Sequence, residues 1–117
     1  MRPDRLFLLD IVEAGDAIVG HIGGRDREAL LADRTARAAV LHELTVIGEA
    51  AARVSSETQD RHREIPWPEI VAFRNVVIHE YFGLSWPIIW VTATEDVPDL
   101  QAKVHAVLRS EFPGTDE

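Results

Sequence analysis

Apolar residues recur at three- and four-residue spacings along nearly the whole of this chain, and no stretch alternates apolar with polar residues long enough to read as a strand. A period near ~3.6 puts one apolar stripe on each helix, and that stripe has to be buried against another helix. The pattern therefore predicts an all-α fold, an antiparallel up-and-down bundle of about five or six helices. Leu8, Ile11, Val12, Gly15, Ile18, Val19 and Ile22 predict a first helix over 4–22, ended by Gly23-Gly24 in left-handed cap geometry. A short helical piece is expected over 27–32. Val40, Leu44, Ile47, Ala51 and Val54 predict a long helix over 35–54. Gly48 and Ala52 lie on an adjacent strip, where a neighbouring helix can come close. The polar segment 55–63 reads as loose. Ile65-Pro66-Trp67-Pro68 opens a helix over 68–81 that ends near Gly83. Ser85 is read as the cap of a fifth helix with Pro87 in its first turn. Asp96 is read as the cap of a last helix that runs through Pro98 to about Phe112. A single helical domain then covers 1–112, and 113–117 is expected to fray.

With 117 residues there is room for one domain. The absence of cysteine excludes disulfides, thiolate metal sites and a cysteine nucleophile, and fits a reducing cytoplasm. No long uncharged apolar run follows the N-terminus, since Asp10, Glu13 and Asp16 interrupt it, so neither a signal peptide nor a membrane span is expected. A formal charge of −8 argues against a protein that coats nucleic acid by general attraction. It leaves room for an enzyme that gathers a few arginines at one place. Eleven of the twelve basic residues are Arg, which suits fork-shaped phosphate recognition.

The stretch that carries chemistry is Phe73-Arg74-Asn75-Val76-Val77-Ile78-His79-Glu80-Tyr81-Phe82-Gly83. At ~100° per residue, Arg74, Asn75, His79 and Tyr81 fall within about 160° of one side of a helix. Ile78 lies among them, and a second subunit would be a natural use for it. Phe73, Val76 and Val77 are expected to point into the bundle. Arg can hold a phosphodiester and offset its developing charge. His can take or give a proton near neutral pH. RNA supplies its own nucleophile, the 2′-hydroxyl, so no metal or other cofactor is required, and a 2′,3′-cyclic phosphate is the expected product. Asn75, one turn before His79, is placed to orient the imidazole or to bind phosphate. Arg with His five residues on is weak evidence alone, since chance gives about half an occurrence in a chain of this content. Arg37 and His42 show the same spacing, but lack the following Asn and the later Tyr.

The full string, Arg74-Asn75-x-x-x-His79-x-Tyr81, resembles the R-x4-H-x-Y motif of HepT-like ribonuclease toxins of the HEPN superfamily. Leu31-Ala32-Asp33-Arg34-Thr35, Ala39-Val40-Leu41, Ile47-Gly48-Glu49-Ala50-Ala51, Ile65-Pro66-Trp67, Phe82-Gly83-Leu84 and Ile89-Trp90 extend the likeness over about 6–107. The resemblance implies a HEPN-type helical bundle that pairs as a homodimer, with Arg74 and His79 of both copies facing one cleft. It implies an RNA substrate and an MntA-like nucleotidyltransferase antitoxin that transfers AMP to Tyr81. A phosphate on the Tyr81 oxygen would occupy Arg74 and exclude RNA.

Two other readings stand beside this one. A non-catalytic helical module could bind RNA or nucleotide, or dock a nucleotidyltransferase; separately, His79 taken alone could be a core histidine that hydrogen-bonds inside the bundle. A purely structural helical dimer would tolerate loss of Arg74 and His79. Trp67, Trp86 and Trp90 read as core or dimer contacts rather than base-stacking platforms. His21, His42, His62 and His105 show no metal-ligand spacing. Glu95, Asp96 and Asp99 read as capping and solvation.

Overall fold

The computed structural model describes residues 2–114, and these are helical without a strand. Helix α1 (Asp4–Ile22) ends where Gly23 turns to φ 60° and its N–H donates back to the Val19 carbonyl. A residue with a Cβ would be strained there. Helix α2 (Arg27–Ala32) starts on Asp26, whose carboxylate accepts from the Ala29 N–H at 2.9 Å. Helix α3 (Arg34–Arg53) starts on Asp33, which accepts from the Ala36 N–H at 3.1 Å and from Arg25 at 2.8 Å. Each of these side chains fills a donor that a helix start leaves open. The Arg25 guanidinium holds the Asp33 carboxyl below its ordinary range.

Segment 55–63, read as loose, is instead helical over α4 (Ser56–Arg61). Its order comes from far along the chain. Asp4, at the start of α1, accepts from the Ser55 N–H at 3.0 Å, the Ser55 hydroxyl at 2.6 Å and the buried Thr58 hydroxyl at 2.6 Å. Arg61 and His62 then reach Glu111, at the other end of the chain. The same contacts orient the bundle. The start of α1 meets the end of α3 and of α7 (Val97–Glu111), so α1 runs antiparallel to both.

This knot predicts acid sensitivity. Burial pushes the Asp4 carboxyl up, but the Ser55 and Thr58 bonds outweigh it and leave the pKa below the ordinary 3.8. Arg61, with His62, lowers Glu111 below its ordinary 4.5. A carboxyl depressed in the folded state adds stability above its unfolded pKa and loses it as pH falls through the folded one. Thermal melts should therefore be flat near neutrality and fall below about pH 4. The Asp4→Asn variant should melt lower at pH 7 and lose less on acidification, and parallel curves for the two would refute the assignment.

Leu8, Ile11, Ile18, Val40, Val104, Val107 and Leu108 form the solvent-free centre where α1, α3 and α7 meet. Val19, read as part of the buried α1 stripe, instead faces solvent at 59% exposure, although on the helical wheel it lies between buried Leu8 and Val12. Helix α5 (Trp67–His79) begins with Pro68 in its first turn, and the buried Trp67 donates its indole N–H to the His62 carbonyl at 3.0 Å. Trp86 and Trp90 pack half-buried against the core.

The predicted break at Asp96 is absent. Helix α6 (Trp86–Val91) continues through a π turn, Thr92–Asp96, straight into α7, and Asp96 keeps helical backbone angles without capping by its side chain. Thr92 and Thr94 donate their hydroxyls to the carbonyls of Ile88 and Trp90, the local competition that widens a helix. Pro98 fits because the π turn already shifts the bonding pattern around it. Ser85 precedes α6 but makes no capping bond through its side chain. Of the tail expected to fray, Pro113 and Gly114 form a turn, and 115–117 lie outside the described residues. No helix among the described residues is long and apolar enough to cross a membrane.

Candidate functional site

Helix α5 packs along α3 and leaves its other side open. Within the motif stretch, α5 turns Phe73 and Val77 into the bundle, Val77 fully and Phe73 in part. The exposed arc carries Asn75, Val76, Ile78 and His79. Val76, predicted to point inward, is thus on the open side, about 100° beyond Asn75. The arc is rotated away from Arg74, which sits at its border, in the seam with α3.

Gly48 makes that seam possible. A Cβ built on Gly48 would overlap the Arg74 Cβ and fall 2.5 Å from its Cγ, so α3 and α5 touch backbone to side-chain base at this point. The predicted small-residue strip is real at Gly48, whereas Ala52 is exposed and receives no helix.

Arg74 is clamped rather than free. Its Nη1 forms an ion pair with Glu49 on α3, and its Nε donates to the Asn75 side-chain oxygen at 2.9 Å. The side chain is only 14% exposed. Two of the three guanidinium nitrogens are thereby fixed, and Nη2 carries no bond to a described residue. A planar fork fixed at two corners presents its third in a set direction, which suits an anionic oxygen arriving from solvent. Asn75, expected beside the imidazole or the phosphate, turns its side-chain oxygen to Arg74 and makes no bond to His79.

His79 closes α5 as an exposed residue, and its side chain makes no hydrogen bond or ion pair among the described residues. It is not a core histidine. The helix does not extend to Tyr81, as the pattern predicted. Glu80 turns to φ −114° and ψ 28°, and Tyr81–Gly83 form a separate 3-10 turn. Tyr81 is therefore displaced from the helical register that placed it above Arg74. The residue is 46% exposed, and its ring packs edge-on against Phe82, with centroids 5.4 Å apart.

Two residues near these were missed in the sequence. Glu49 stood in a string that carried the resemblance, and its only local sign was a charge next to a helix-packing glycine. Phe82 is fully exposed (101%), and its sign was an aromatic directly before a glycine turn. The second arginine–histidine pair is structural. Arg37 donates to the Leu31 carbonyl at the end of α2, and His42 stands exposed on α3. His21 faces Glu43, and His62 lies between Glu64 and Glu111. An apolar cleft lies elsewhere, between Leu44, Ile70, Phe73 and Leu100, and holds none of the motif's polar residues.

Comparison with known proteins adds an independent finding. The family model described as "Ribonuclease HepT-like" matches residues 11–107. The chain is 32% identical over 111 residues to "Putative RNase TTE0752" of Caldanaerobacter subterraneus subsp. tengcongensis, covering 95% of this chain and 99% of that one. It is 35% identical over 102 residues to "Probable ribonuclease HepT" of Thermococcus cleftensis, covering 87% and 93%. A third relative, "Putative RNase MJ1380" of Methanocaldococcus jannaschii, is 31% identical over 91% of this chain and 97% of its own. No solved structure gives a match.

Proposed function

The chain belongs to the HepT-like ribonuclease family, and from that premise we propose that it is a metal-independent endoribonuclease, with Arg74 and His79 as its catalytic residues. The observation that carries this reading is that α5 bears both a clamped Arg74, with one guanidinium edge unbonded, and an exposed His79 whose side chain makes no bond to a described residue. In the proposed reaction the His79 imidazole takes the proton from an RNA 2′-hydroxyl. The 2′-oxygen attacks phosphorus, the bond to the 5′-oxygen breaks, and an imidazolium returns a proton to that oxygen. Arg74 offsets the charge gathering on the non-bridging oxygens. The products are a 2′,3′-cyclic phosphate and a 5′-hydroxyl. Purified protein incubated with total RNA in EDTA should give those ends. Intact RNA would favour the binding-module reading, and cleavage only with a divalent ion would reject the metal-free route.

The open side of α5 also suits self-association. Val76 and Ile78 expose apolar surface on either side of the polar residues, and a second copy covering them would bring two Arg74 and two His79 to one cleft. Two arginines there would supply local positive charge that the balance of −8 lacks. Ile78→Asp should then yield a monomer in sedimentation and lose most cleavage. A dimer of unchanged affinity would place the interface elsewhere.

As a toxin paired with an MntA-like nucleotidyltransferase antitoxin, the protein would be neutralised by AMP on Tyr81. The exposed position of that phenol makes it accessible to a modifying enzyme. Tyr81→Phe should keep cleaving RNA and arrest growth even when the antitoxin is co-expressed. Rescue of that variant by the antitoxin would exclude Tyr81 as the point of control.

A further inference from the structure

Phe82 is the large apolar residue that the fold leaves wholly in water, three positions after His79. The 3-10 turn fixes it there: the Gly83 N–H donates to the Glu80 carbonyl at 2.8 Å, and the Tyr81 ring packs edge to face with Phe82 at an interplanar angle of 77°. The Tyr81 ring meets it at one edge and leaves it fully accessible. Consecutive Cα atoms are about 3.8 Å apart, so its backbone lies within about 11 Å of that of His79. That is within reach of a nucleoside flanking a linkage held at His79.

Charge decides which part of a nucleotide belongs there. The chain carries −8, and the exposed residue next to this turn is the acidic Glu80. The Phe82 ring offers a phosphate neither charge nor a hydrogen bond. A base is uncharged and has an aromatic face, and stacking contributes affinity without cations. A strongly acidic protein that binds RNA with few free arginines needs such a contribution more than a basic one does.

We propose that Phe82 is a stacking platform for a nucleobase flanking the scissile linkage, so that it sets RNA affinity without touching the reacting atoms. The proposal rests on the ribonuclease reading above for its substrate, and its test separates the two. A fluorescent 2′-O-methyl RNA lacks the nucleophile, so its binding reads stacking without cleavage. Phe82→Leu keeps an apolar side chain but removes the ring, and should weaken binding about 5- to 150-fold, the range of one base on one aromatic side chain. Phe82→Trp should bind within about 2-fold of the parent protein, since the larger ring stacks as well. An RNA with one abasic site at the stacked position should bind the parent protein and the Phe82→Leu variant equally, because the ring then has no base to cover.

Equal binding of intact RNA by the parent and Phe82→Leu, or no binding by the parent, overturns the stacking role. So does a Phe82→Leu variant that sediments as a smaller species, because the ring is then covered by a second copy. Ring-dependent binding by a protein that leaves ordinary RNA intact would keep the platform and reject the nuclease.

Discussion

Replacing His79 by alanine should lower RNA cleavage by about 10²–10⁴-fold, the usual contribution of a positioned acid–base group. It should do so without unfolding the protein. His79 is exposed, its side chain makes no hydrogen bond or ion pair to a described residue, and it ends its helix. The lost interaction with the helix C-terminus is worth under about 1 kcal/mol. Rates at saturating RNA, read beside a thermal melt and an RNA-binding curve, check this. Arg74 is a less clean probe. Its truncation leaves the Glu49 carboxylate without its partner and opens a gap over Gly48, so activity and stability fall together. Arg74→Lys keeps the charge but loses the two-cornered clamp, and should cleave far below the parent rate. Full-rate cleavage by His79→Ala would remove His79 from the mechanism.

Gly48→Ala is expected to be the most damaging single methyl group in the chain. Its Cβ would overlap the Arg74 Cβ, which is the base of a side chain and not a tip that can swing away. The two helices have to separate, at a cost of about 1–3 kcal/mol. The separation also moves Arg74 relative to Glu49 and to the open edge of α5. A displacement of about 1 Å at such a group can reduce turnover by roughly 10²-fold. Both effects should appear together, as a lower melting temperature and a lower rate. Parent-like behaviour in both would mean that α3 and α5 are not in contact at Gly48.

The bounds of α1 and α2, and of α3 to within a residue, were legible because local chemistry sets them. A left-handed glycine stops α1, and an aspartate carboxylate starts each of the others. What was not legible depends on residues distant in sequence. α4 reads as a polar loop because its stability derives from Asp4, some fifty positions earlier, and from Glu111, some fifty later. Asp96 followed by Pro98 looks like a helix start, yet the chain passes through as a π turn that two threonines support. At the site, the motif's residue types were readable, but their directions only in part. A helix wheel cannot show that α3 closes over Arg74, that Glu49 holds it, or that the helix stops before Tyr81.

The central proposal is that the attacking oxygen comes from RNA itself, activated by His79, with Arg74 offsetting the charge on the phosphate. It is tested most directly by giving the purified protein, in EDTA, an RNA oligonucleotide that it cuts and the same sequence with every 2′-oxygen methylated. Cleavage of the first to a 2′,3′-cyclic phosphate, with the second bound but intact, is the predicted result. Scission of the methylated strand would contradict it, because the nucleophile would then have to come from elsewhere.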